Sequence, residues 1–126
     1  MVQTDLTQLN RECNSWRENL KSHRTELTNF RAKLQEAVTR PLNRADMPQI
    51  EHYDNQFDIQ LNNISQLKHE IKDHERNAAW ELGRPSGAVS EATWTHHEEL
   101  LDRYEVLEHT LSELKNEFTS FAQKLG

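Results

Sequence analysis

Cys13, His74 and His97 carry side chains of the kinds that hold transition metals. One thiolate sulfur and two imidazole nitrogens are good zinc ligands, and Glu12, Glu75 or Glu98, each next in sequence to one of the three, offers a carboxylate as a fourth. The three residues lie far apart in the sequence, so no local motif supports them as a set. The segment His69–His74, HEIKDH, invites comparison with the HExxH helix of metalloproteases, but its histidines are five apart. Five residues turn about 140° net on a helix, so the pair cannot share a face. The helical Glu-x-x-His pattern of di-iron bundles is absent as well. The same three residues also read as a polar core layer, with cysteine packing as a small hydrophobe and neutral histidines hydrogen-bonded to one another or to a carboxylate. A polar layer of this kind helps to fix register.

The histidines need elements to aim them, and the hydrophobic period supplies three. In the first segment Leu6, Cys13, Leu20, Leu27 and Leu34 repeat at seven, and Leu9, Trp16, His23, Phe30 and Ala37 follow three residues after each. This alternation of three and four is the signature of a coiled-coil seam. In the second, Ile50, Phe57, Ile64, Ile71 and Ala78 repeat at seven beside Tyr53, Gln60, Leu67 and His74. In the third, Thr93, His97, Leu100, Tyr104, Leu107, Leu111, Leu114, Phe118, Phe121 and Leu125 continue one stripe. Within ATWTHHEELL, residues 92–101, the period separates the adjacent histidines: His97 lies on the inward seam and His96 is turned about 100° away.

The breaks between segments fall at RPLNRADMP and GRPSGAVS. Asp46 with Gln49 reads as a capping box, Gly83 as a left-handed helix terminator, Ser90 as an N-cap, and Val89 with Trp94 as a hydrophobic staple. The expectation is an all-α, elongated, up-down-up antiparallel three-helix bundle, spectrin-repeat-like in architecture. It forms one domain over residues 1–126, with helices at about 4–39, 47–82 and 91–125. Aligning the two turns puts Cys13, His74 and His97 on one level at the tryptophan-bearing end, and Phe30, Phe57, Phe118 and Phe121 at the other.

Composition agrees with a narrow core: 34% of residues are apolar and 29% charged. The formal net charge is −6, unevenly spread, with residues 1–40 at +2 and residues 47–82 and 83–126 at −4 each. A basic first helix facing two acidic ones favours packing within the chain, and the absence of a basic cluster or RNA-reading motif argues against a nucleic-acid partner. One cysteine permits no internal disulfide, and no segment reads as a secretory signal or membrane span, so a cytoplasmic location is expected. The segment EHYDNQFDIQLNNISQLKHEIKDHE, residues 51–75, resembles small all-helical bacterial proteins of similar length. That resemblance implies a bacterial-type cytoplasmic protein and transfers no activity.

The leading functional expectation is a non-enzymatic helical protein without a cofactor. It would present a helical face to a protein partner or to a copy of itself as a homodimer. The alternative is a zinc-type metal-binding bundle using Cys13, His74 and His97.

Overall fold

A computed structural model describes residues 2–41 and 43–125, with side chains from Leu6 onward; Leu42, in the first expected linker, lies outside the described residues. Three helices form: α1 (Val2–Ala37), α2 (Met47–Leu82) and α3 (Glu91–Leu125), and all pack on one another with no strand among the described residues. At 1.5 Å per residue, the 36 residues of α1 and of α2 each span about 54 Å.

The seam positions are the core. Leu9, Cys13, Leu20, Leu27, Phe57, Ile64, Ile71, Ala78, Leu100 and Leu111 are fully buried. One end is aromatic: Phe57 meets Phe118 edge-on at 4.9 Å, Phe30 lies 5.3 Å from Phe118, and Tyr53 stacks on Phe121 at 5.0 Å. The uneven charge is used between α1 and α2, where Arg17 pairs with Glu75 and Arg31 with Asp54 and Asp58.

The helix ends depart from expectation at three places. α1 stops at Ala37, two residues short of 39, and a turn with Thr39 N–H on Glu36 O and Arg40 N–H on Ala37 O leads into Pro41. Proline disfavours helical geometry in the residue before it, so the last turn tightens early. Asp46 makes no capping bond with its side chain, because it already belongs to a 3-10 turn, Arg44–Asp46, that runs into α2. The capping residue is Asn43, extended at φ −69° and ψ 130°, whose side chain accepts from the Ala45 amide at 3.2 Å. Gly83 sits at φ −75° in the right-handed region; the left-handed residue is Gly87 at φ 61°, in a turn closed by its N–H on Arg84 O at 2.8 Å. Ser90 does cap α3, its hydroxyl accepting from the Thr93 amide at 3.2 Å.

Candidate metal centre

The three helices bring Cys13, His74 and His97 together. Cys13 comes from the second turn-pair of α1, His74 from the last third of α2, and His97 from the second turn of α3. Antiparallel α2 and α3 are joined by a short turn, so residues at similar distances from that turn face one another. The corner is held tightly. The Glu81 carboxylate accepts from the Ser90 amide at 3.1 Å, the Ser90 hydroxyl at 2.8 Å and the Thr93 hydroxyl at 2.6 Å. Those bonds hold the Glu81 carboxyl below the usual carboxylate range, Thr93 contributing most. Asn77 donates to the Thr93 hydroxyl at 3.2 Å and extends the clamp toward His74. α3 therefore enters at a fixed height relative to α2, and His97 is delivered to His74.

One ligand atom from each residue lies within 4.8 Å of the other two. The two closest pairs share Nδ1 of His97: Nε2 of His74 is 2.9 Å away and Sγ of Cys13 is 3.9 Å away. Ligands bonded to one ion at about 2.0–2.3 Å stand roughly 3.3–3.7 Å apart, so the two pairs at His97 Nδ1 need shifts of a few tenths of an ångström and the widest pair must close by about 1 Å to make a coordination triangle. All three side chains are buried, with 0% of Cys13, 2% of His74 and 4% of His97 exposed. The other ring nitrogen of His97, Nε2, lies 3.4 Å from the Glu12 carboxylate. A carboxylate behind a histidine is how metal sites fix the tautomer of the ligand and raise its basicity.

The protonation pattern follows from Glu12. An ionised carboxylate only accepts, so the His97 proton belongs on Nε2 and Nδ1 presents a lone pair to the cluster. Two donors, the His74 Nε2–H and the Cys13 thiol, converge on that single lone pair. Nδ1 of His74, buried as well, finds no hydrogen-bond partner. Burial, together with His97 and His96 nearby, lowers the His74 pKa to about 4, which keeps its imidazole neutral at neutral pH. Burial also pushes the Cys13 thiol up to about 12, with Glu75 and Glu12 adding to the rise and Arg17 opposing it.

Aromatic rings close the layer. Trp16 lies over His97 at 4.8 Å, and Trp94 meets it edge-on at 5.4 Å. His96, turned away from the inward seam, is 47% exposed, yet its ring stands edge-on to His74 at 5.1 Å. With His74, Glu70, Asp73 and Asn77 it lines a surface cleft that reaches the layer from outside. The third tryptophan, Trp80, takes no part; it is 61% exposed, under the Arg84 guanidinium at 4.7 Å. Glu75 is not directed to the layer but holds Arg17 in a fork at 2.7 and 3.2 Å, and Glu98 has no described contact with the three.

A second polar arrangement escaped the seam reading. His23, placed among aliphatic residues by its position, donates to or accepts from Glu108 at 2.9 Å, and its Nδ1 meets Lys115, which also pairs with Glu26 at 3.2 Å. Asn19 donates to the Tyr104 hydroxyl at 2.8 Å, and Tyr104 stacks on Trp16 at 5.8 Å. Glu108 and Lys115 stand outside the apolar stripe of α3, so only a three-dimensional register reveals them.

No known protein family, curated protein or solved structure matches the chain. Among the described residues, no helix is long and apolar enough to cross a membrane.

Proposed function

We propose that this protein is a metal-binding three-helix bundle, whose Cys13, His74 and His97 hold one thiophilic transition-metal ion and thereby tie the three helices together. The observation that supports it is the convergence of one sulfur and two nitrogens, one per helix, within 4.8 Å in a buried layer. The unsatisfied hydrogen bonding of that layer adds to it. With the His97 proton on Nε2 toward Glu12, His74 Nε2 and Cys13 Sγ both face the one lone pair of His97 Nδ1. An ion would take the lone pair of His97 Nδ1, one from His74 and the thiolate, and so end the competition. The role is that of a held structural ion rather than of catalysis. Elemental analysis of protein purified without a metal-affinity tag, and melting with added zinc or copper(I), test the reading. One ion per chain is expected. Free metal at 100 times its Kd should stabilise the fold by about 2.7 kcal/mol. A chain that carries no metal and melts identically with either ion refutes the proposal.

A second reading, a helical interaction module, draws on the groove between α2 and α3. Gln60, Asn63, Leu67 and Leu107 line it, and Val106 on its rim is 67% exposed. Light scattering across a concentration series reads this, and a chain that stays monomeric throughout removes self-association.

A further inference from the structure

We propose that the triangle of Cys13, His74 and His97 is a copper(I) site rather than a zinc site. The inference rests on the metal-binding reading above and names the ion.

Coordination number is the first reason. Structural zinc is closed by four protein ligands, and zinc held by three completes its shell with a water, whereas a soft monovalent ion is content with a thiolate and two imidazoles alone. Among the described residues no fourth His, Cys, Asp or Glu joins the three. The nearest carboxylates are occupied: Glu12 sits behind His97, on the ring nitrogen that faces away from the cluster, and Glu75 grips Arg17. Trp16 and Trp94 cover the His97 ring and supply no ligand.

Charge is the second reason. The layer lies in the core, where an unbalanced charge is costly. Copper(I) and one thiolate sum to zero. A divalent ion with the same ligands leaves one positive charge on the ligated group itself; the carboxylates nearby, Glu12 behind His97 and Glu75 paired with Arg17, lie outside the ligand set.

The step balances simply. The Cys13 S–H bond breaks, its proton passes to solvent, and an S–Cu bond forms. His97 donates the Nδ1 lone pair. The ring proton of His74 moves to the nitrogen that does not face the ion. Copper stays monovalent and no electron is transferred. The cleft beside His74, with His96 at its wall, gives the ion a way in.

The test uses the full untagged chain under anaerobic conditions, titrated with copper(I) and separately with zinc(II), each against a chromophoric chelator of known affinity. The expected result is one copper(I) per chain, held at least roughly 10³-fold more tightly than zinc(II). X-ray absorption of the copper-loaded chain should give one sulfur and two nitrogens at copper with no fourth ligand. Cys13→Ser should lose the preference, and if that variant fails to fold the absorption measurement on the native chain still decides. Zinc bound as tightly as copper(I), with a tetrahedral cobalt(II) spectrum in the substituted chain, overturns the copper assignment and leaves the metal-binding reading standing. Binding of neither ion removes both.

Discussion

Lowering the pH on the chain stripped of metal should reveal the cost of burying His74. Its pKa is about 4 in the fold against an ordinary 6.5, chiefly because burial penalises the charged ring and secondarily because His97 and His96 are close; Glu81 acts weakly in the opposite direction. A pKa lower in the folded state than in the unfolded one means that the unfolded chain takes up the proton first. Stability is therefore complete above pH 6.5, falls as the pH drops from 6.5 toward 4, and levels off below. One pH unit is about 1.36 kcal/mol, so the 2.5 units amount to about 3.4 kcal/mol in full and about 2 kcal/mol at pH 5. Urea unfolding in a chelating buffer at pH 7.5 and pH 5 measures it. Other histidines and carboxylates titrate in the same range, so the informative quantity is the difference between the native chain and His74→Gln. The amide can still donate to His97 but does not titrate. The variant should lose about 2 kcal/mol less than the native chain on going to pH 5. Equal losses in the two proteins would mean that His74 is protonated in the fold as readily as in water, and the buried neutral layer would then be wrong.

Two further outcomes concern the frame around the site. Phe57→Ala removes a fully buried ring from the aromatic end and should cost about 3–5 kcal/mol in denaturant unfolding. Because that ring is far along the rod from Cys13, the metal affinity of the folded fraction should not change. Glu81→Ala leaves the Ser90 and Thr93 donors without their carboxylate and should cost about 1–2 kcal/mol. It should also weaken metal binding, since that clamp sets the height of His97 relative to His74; competition titration distinguishes this from a purely local loss.

The heptad spacing carried the fold, and two turn positions carried the layer. Seam periodicity assigns residues to an inward face with a tolerance of about one turn, and Cys13, His74 and His97 fall on the same level by that rule alone. Distances inside the level were beyond its reach, because ligand contact is decided by side-chain torsions and by shifts smaller than a residue. Two details of the site illustrate the limit. Glu12 lies one residue from the seam, and its contact with the outer nitrogen of His97 depends on how the ring of His97 is turned. His96 lies about 100° from the seam yet touches His74 from the rim. Helix ends were less legible for a different reason. Asn43 and Asp46 are both good capping residues, and the choice falls to whichever is extended in the turn, which the linker sequence does not reveal. Gly83 and Gly87 pose the same ambiguity, settled by the turn that puts Gly87 at positive φ.

The energetics of the layer favour a reading beyond register. A polar layer that only fixes alignment is expected to be satisfied, since each buried group left unpaired costs about 1–3 kcal/mol. Among the described residues outside the layer that condition is met. Gln60 accepts from Asn63 at 3.2 Å, Thr93 is bonded to Glu81, Asn77 and Ser90, and His23 has a partner on each ring nitrogen. Among the described residues, only the Cys13–His74–His97 layer sets a thiol and an imidazole on one shared lone pair, and His74 is the most buried of the described polar side chains. Cysteine and histidine are a costly way to align three helices when apolar residues such as Leu9, Leu20, Ile71, Ala78 and Leu100 fill the neighbouring seam positions. They are the economical choice when the sulfur and the two nitrogens have an ion to share.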